Sequence, residues 1–172
     1  MAMKKEFVIL VNRRGKKVGA AEKLDAHRKG LLHRAFSIFI FNDRGEMLLQ
    51  KRAKSKYHFA GLWSNACCSH PRVGEKVLSA AKRRLMEELN LQTTLQSKGK
   101  IIYKFFDGKS GLTEHEYDYI FTGRFNGEVD FNRKEVEELR WISLSKLKVE
   151  MKTDPEKFTP WFEMIFKEVK FV

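Results

Sequence analysis

Strand-length apolar runs dominate the first third of the chain. FVILVN (7–12), AFSIFIF (35–41) and EMLLQKRA (46–53) are rich in aliphatic and aromatic residues and read as strands. NDRG joins the last two and is a turn signal. RRGKK reads as a basic turn, and EKLDAHRKG (22–30) as a short helical or irregular segment closed by Gly30. KSKYHFAGLWSN (54–65) reads as a loop and ACCSH as a short strand ended by Pro71. The period then changes. In KVLSAAKRRLMEEL (76–89), Val77, Ala81, Leu85 and Leu89 fall on one stripe at about 100° per residue, which predicts a helix. KIIYKFF (100–106) and EHEYDYIFTGRF (114–125) read as strands linked by DGKSG, and LRWIS (139–143) as a short strand. Helical segments are expected around SKLKVEM and TPWFEMIFKEV. No repeat, low-complexity tract or linker divides residues 1–172, so one domain is expected, of α/β (α+β) class, with a mixed sheet flanked by helices.

Three places break these patterns. Side chains alternate across a strand, so Cys68 and His70 share one face and Cys67 takes the other. Glu114 and Glu116 likewise share a face, opposed by His115. Two carboxylates side by side repel unless a cation or protons intervene. In the helix, Glu88 falls inside the apolar stripe, with Arg84 one turn earlier at its edge, while Glu87 points to solvent. A carboxylate on a buried face needs a partner or a metal. Each break also has an ordinary structural reading: a small buried thiol beside a core histidine, an edge strand with wetted glutamates, an Arg84–Glu88 ion pair.

Composition narrows the chemistry. At 172 residues the chain can bury a core without staples. It lacks an apolar run of about 18 residues, and its N-terminal apolar run is too short for a signal peptide, so a cytoplasmic protein is expected. Its two cysteines are adjacent and badly placed to bridge. The net charge of +12 fits a solvated basic surface or a small anionic substrate, and no nucleic-acid signature accompanies it. His27 and His33 stand just before and at the start of the AFSIFIF strand. With His70, Glu114 and Glu116 they form a candidate site of imidazoles and carboxylates, a donor set suited to Mn, Zn or Fe.

LLHRAFSIFIFN (31–42), SNACCSHP (64–71), RRLMEEL (83–89), TEHEYDYIF (113–121) and TPWF (159–162) stand in the order found in type I isopentenyl diphosphate isomerases, which the chain resembles from about Glu22 to Trp161. The resemblance implies a Nudix-like αβα sandwich and the interconversion of isopentenyl and dimethylallyl diphosphate in isoprenoid synthesis. It implies His27, His33, His70, Glu114 and Glu116 as metal ligands, Cys68 and Glu116 as the two catalytic groups, and Tyr103 as partner of that glutamate. Glu88 would serve a magnesium ion that also holds the diphosphate. Lys23, Arg52, Lys56 and Arg84 would bind the diphosphate, and Trp161 would cover the hydrocarbon. The implied cofactors are Mg²⁺ with the substrate and one further divalent ion (Mn²⁺, Zn²⁺ or Mg²⁺) at the His/Glu site. The implied partner is a small-molecule diphosphate, with no nucleic acid, membrane or obligate protein partner. Ala60 stands where the family leads one to expect proline.

A Nudix pyrophosphohydrolase is the alternative from the same fold. Its box, G-x5-E-x7-R-E-U-x-E-E-x-G-U, is met here by Glu75, Arg83, Glu87 and Glu88, but Ser69, Arg84 and Asn90 replace a glycine, a glutamate and a glycine. A hydrolase needs that carboxylate cluster to hold metal and position water. An arginine in its place suits a site that binds diphosphate and leaves it intact. A non-catalytic RNA-binding module would use the charge but gives Cys68 no role.

Overall fold

The computed structural model describes residues 5–171. The chain opens on an antiparallel hairpin, β1 (Phe7–Val11) and β2 (Lys17–Glu22). Helix α1 (Lys23–Lys29) follows, capped by the Glu22 carboxylate, which accepts from Leu24 N at 3.2 Å and Asp25 N at 3.1 Å. It ends on Gly30 at φ +60°, a left-handed conformation that glycine adopts without a Cβ penalty. One turn separates Lys23 from His27, so α1 delivers both on one face.

Strand β3 (His33–Phe41) is the spine. Strand β8 (Leu112–Arg124) runs parallel along one edge, from His33↔Glu116 to Phe41↔Arg124. The other edge is shared by β1, β6 (Cys67–Ser69) and β4 (Glu46–Arg52). Strand β7 (Gln96–Asp107) extends the sheet beyond β8, and β5 (Trp63–Asn65) and β9 (Val136–Ser143) pair with β4.

Both faces of this sheet are covered, which is why β3 reads as a continuous apolar run rather than an alternating one. Phe36, Ile38, Ile40, Leu48 and Phe121 pack with Ala81, Leu85 and Leu89 of α2 (Val77–Leu89). Phe39, Met47, Leu49 and Ile120 face the other way, onto α3 (Leu144–Thr153) and α4 (Pro160–Glu168) through Leu147, Met151, Phe162 and Ile165. Each fully buried side chain of this size contributes about 1.5–3 kcal/mol.

The sequence expectation needs correction at five boundaries. KVGAAE (17–22) forms β2, not the tail of a turn and an irregular segment; its residues are small and largely exposed, so no hydrophobic alternation announces it. WSN (63–65) forms β5 inside the segment read as a loop, and three residues are too few to show a period. β3 begins at His33, β7 at Gln96 and β9 at Val136; the added residues of β7 are exposed, whereas His33 and Val136 are buried but lie outside the apolar runs read from the sequence.

Candidate active site

The interior ends of β3, β6 and β8 carry polar side chains where the rest of the sheet carries apolar ones. His33 opens β3, Glu114 and Glu116 lie on β8, His70 follows β6, and His27 comes from the last turn of α1. Ligand atoms of these five side chains lie within 4.8 Å of one another. His33 Nε2 is 3.2 Å from His70 Nε2 and 3.5 Å from Glu116 Oε1, and His70 Nε2 is 2.8 Å from the same oxygen. His27 Nε2 faces Glu114 Oε2 at 3.4 Å. His115 is turned out of the cluster and donates to Gly30 O.

This donor set fits a divalent ion. His27 Nδ1 lies 2.6 Å from Lys23 O and His33 Nδ1 2.8 Å from Leu31 O. A carbonyl only accepts, so each Nδ1 carries the proton and each Nε2 presents a lone pair inward, the outer hydrogen bond typical of metal-ligating imidazoles. His27 Nε2 and Glu114 Oε2 are both buried without a hydrogen-bond partner. Two facing lone pairs in a dry site call for a cation. Separations near 3 Å are also about what ligands roughly 2.1 Å from a shared ion adopt. Burial pushes His70 down to about 4, against the pull of Glu116, so its imidazole is neutral and able to ligate at neutral pH.

Beside the cluster lies a pocket of about 60 Å³. Lys23, Arg52, Lys56, Arg84, Cys68, Tyr103, Glu116 and Trp161 all line it, so every side chain singled out for substrate or chemistry meets there except Glu88. The Tyr103 hydroxyl donates to Glu116 Oε2 across the β7–β8 pair. Trp161 is buried at the start of α4, which is pinned to β5 by Thr159 N to Trp63 O (2.9 Å) and by the Thr159 and Ser64 hydroxyls (2.9 Å). The Arg52 guanidinium lies 5.4 Å from its ring centroid. Lys23 is held by Glu6 and Lys56 by Glu135.

The cysteines part as alternation requires. Cys67 is wholly buried in the core beneath α2. Cys68 lines the pocket, its thiol donating to Asn65 Oδ1 at 3.0 Å, with Ser37 Oγ at 3.5 Å. Asn65 is locked by Nδ2 bonds of 3.0 Å to Ile38 O and Cys67 O, and Ser37 Oγ donates to Asp118 Oδ2 at 2.7 Å. Burial pushes the Cys68 thiol up to about 12, so it carries its proton at neutral pH. Glu88 stands one layer behind the pocket wall, accepting from Arg84 Nη2 at 2.6 Å and Gln50 Nε2 at 3.1 Å.

Sequence reasoning missed Asn65, Ser37, Asp118 and His58. The first lies within SNACCSHP, three residues before Cys68, but nothing in its spacing marks an amide that accepts from a thiol. His58 sits in the loop after β4, and only the fold brings it to Glu114.

A Nudix domain model matches residues 31–162. A curated protein of Photorhabdus laumondii, isopentenyl-diphosphate Delta-isomerase 2, is 45% identical over 166 residues, spanning 96% of this chain and 93% of that one. The isopentenyl-diphosphate Delta-isomerase of Serratia proteamaculans is 45% identical over 164 residues, 95% of this chain and 91% of its own. The chain belongs to the isopentenyl-diphosphate Delta-isomerase family. Among solved structures, a Deinococcus radiodurans protein superposes with a TM-score of 0.76 at 18% identity, covering 94% of this chain and 98% of its own. A MutT protein from Methanosarcina mazei gives 0.65 at 19% identity over 79% and 91% of the two chains. Identities that low report the shared fold alone.

Proposed function

We propose that this chain interconverts isopentenyl and dimethylallyl diphosphate. The carrying observation is one pocket that joins a thiol, two carboxylates, four cationic side chains and a buried indole. Cys68 and Glu116 come from strands on opposite edges of β3, so the reacting carbons can lie between them. One group donates a proton to the terminal CH₂, whose π electrons form the new C–H bond and leave a tertiary cation. The other removes a proton from the carbon nearer the diphosphate, and that electron pair becomes the new double bond. The reverse reaction exchanges the two roles. Tyr103, donating to Glu116, orients the carboxylate and partners its proton transfers. Trp161 offers its π face to the developing cation, worth about 0.5–2 kcal/mol. Lys23, Arg52, Lys56 and Arg84 grip the diphosphate and supply binding energy remote from the reacting carbons.

His27, His33, His70, Glu114 and Glu116 would hold a divalent ion of the Mn²⁺, Zn²⁺ or Mg²⁺ class, which when bound would fix and polarise Glu116. Glu88 would share Mg²⁺ with the substrate phosphates, since that ion is usually held by one or two carboxylates plus substrate oxygens. Two unbridged cysteines fit a reducing cytoplasm.

Hydrolysis is disfavoured by the box itself. Glu75 is bound at 2.8 and 2.9 Å by Arg83, and Glu87 and Glu88 at 2.8 and 2.6 Å by Arg84, so these carboxylates are already neutralised. The test is incubation with isopentenyl diphosphate and Mg²⁺ in D₂O, followed by NMR. Deuterium entering the methyl group of dimethylallyl diphosphate is expected. Release of phosphate without isomerised product would overturn the reading in favour of a hydrolase.

A further inference from the structure

The loop between β4 and β5 brings a fourth imidazole to the cluster. His58 is buried, and its Nε2 meets Glu114 Oε1. Its backbone is clamped. The Arg52 guanidinium donates to His58 O at 3.1 Å and Phe59 O at 3.2 Å, and Phe59 N donates to Asp107 Oδ2 at 3.3 Å. The ring is also confined, 4.3 Å from the Tyr57 ring and 5.5 Å from that of His27.

His58 is not among the five residues whose ligand atoms converge. His70 Nε2 also meets a carboxylate, Glu116 Oε1, but it belongs to the five that converge, whereas His58 lies outside them and its contact with Glu114 is that of an N–H donor on an acceptor oxygen. The contact has a second consequence. It occupies Oε1 of Glu114 and leaves Oε2 turned to His27 Nε2, buried and without a partner.

We propose that His58 is a positioning residue of the metal centre, holding Glu114 by one oxygen so that the other is presented to the ion. The proposal rests on the reading of the five-residue cluster as that centre. A hydrogen bond to a ligating carboxylate fixes its orientation, and losing such an outer partner typically weakens metal affinity about 10–100-fold.

The test measures Mn²⁺ and Zn²⁺ dissociation constants on metal-stripped full-length protein, by competition with a chromophoric chelator. The parent is compared with His58→Phe, which keeps a ring without the donor, and His58→Gln, which keeps an N–H of similar reach. Phe is expected to weaken binding roughly 10–100-fold and Gln to restore most of the loss. Parent-like affinity in the Phe variant overturns the proposal, and so does equal weakening in both. Should the Phe variant fail to fold, the parent decides alone. With ¹⁵N-histidine and ¹¹³Cd²⁺, cadmium coupling is expected at His27, His33 and His70 but not at His58. Coupling at His58 makes it a ligand and overturns the positioning role. A parent that binds no ion at all overturns the metal centre itself, an outcome distinct from failure of the His58 role alone.

Discussion

A buried glutamate on α2 and a buried pair on β8 lie on opposite sides of the sheet, and they are balanced differently. On α2, Glu88 is closed off by protein: Arg84 reaches it at 2.6 Å, Glu87 at 2.8 Å and Glu135 at 3.2 Å. Every charge there has its counter-charge within the chain. On β8, His58 and Tyr103 each supply one proton, to Glu114 and Glu116 respectively, while His27 and His33 spend their proton-bearing Nδ1 on backbone carbonyls. The Nε2 atoms of His27 and His33 are lone pairs, and His27 Nε2 and Glu114 Oε2, 3.4 Å apart, have no hydrogen-bond partner. The first group has its charges paired within the chain, whereas the second is completed by a cation or a further proton. Burial of a carboxylate is therefore no sign of function by itself; the supply of protons around it is.

The largest effects are expected where the second group meets the pocket. Glu116→Gln and Cys68→Ala should each lower isomerisation by at least about 10²–10⁴-fold, since each removes one acid–base group. They should differ in bound metal, measured by elemental analysis: Glu116→Gln loses it and Cys68→Ala keeps it. Loss in both would make Cys68 a ligand. Cys67→Ala, on the core side, should keep most activity.

The first group should answer in stability as well as in activity, since Glu88 would also share Mg²⁺ with the substrate. Glu88→Gln leaves Arg84 with its partially exposed partners and should cost about 3 kcal/mol in urea unfolding, near the lower end for breaking a buried pair. Metal content of the His/Glu cluster should not change. A variant as stable as the parent would mean that Glu87 and Glu135 alone balance Arg84, and the contrast between the two groups would weaken.

Much of this was legible in the chain, for reasons that differ by residue. Alternation placed Cys67 and Cys68 on opposite faces, because a strand's period of two survives any tertiary context. The helical wheel put Glu88 in an apolar stripe, and the structure buries it there. Apolar runs located β3 and β4, whose two faces are both covered. What stayed hidden depends on long-range contacts. β2 buries little, so its pattern is silent. His58 reaches Glu114 only because Arg52 and Asp107 clamp a loop from either side. Asn65 gains its role from the carbonyls of Ile38 and Cys67, and the former is distant in sequence.

Metal loading should sharpen the same contrast. An ion that binds only the folded state at about 100 times its dissociation constant stabilises by about 2.7 kcal/mol. Thermal or urea midpoints with and without chelator should show an increment of that order in the parent. His70→Ala should abolish the increment, and Glu88→Gln should retain it on a lower baseline. An increment that survives His70→Ala would place the ion elsewhere.

The smallest expected effect is a pH dependence in the self-balanced group. Burial alone would raise the Glu135 carboxyl, but Lys56 and Arg84 overcome it and hold it at about 2, against an ordinary 4.5. A folded-state value below the unfolded one means that the folded protein binds fewer protons. The stabilisation is then fully present above about pH 4.5 and is lost as the pH falls toward 2. Glu135 is partly exposed, so screening reduces its contribution to the order of 1 kcal/mol. Unfolding free energies in urea, taken stepwise from pH 6 to pH 3 with chelator present throughout, should fall more steeply in the parent than in Glu135→Gln. Removing the ion keeps the His/Glu cluster's own proton linkage the same in both proteins, so it cancels in the difference. Parallel slopes would show that Lys56 and Arg84 do not hold this carboxylate in solution, and that the α2 network is looser than its distances imply.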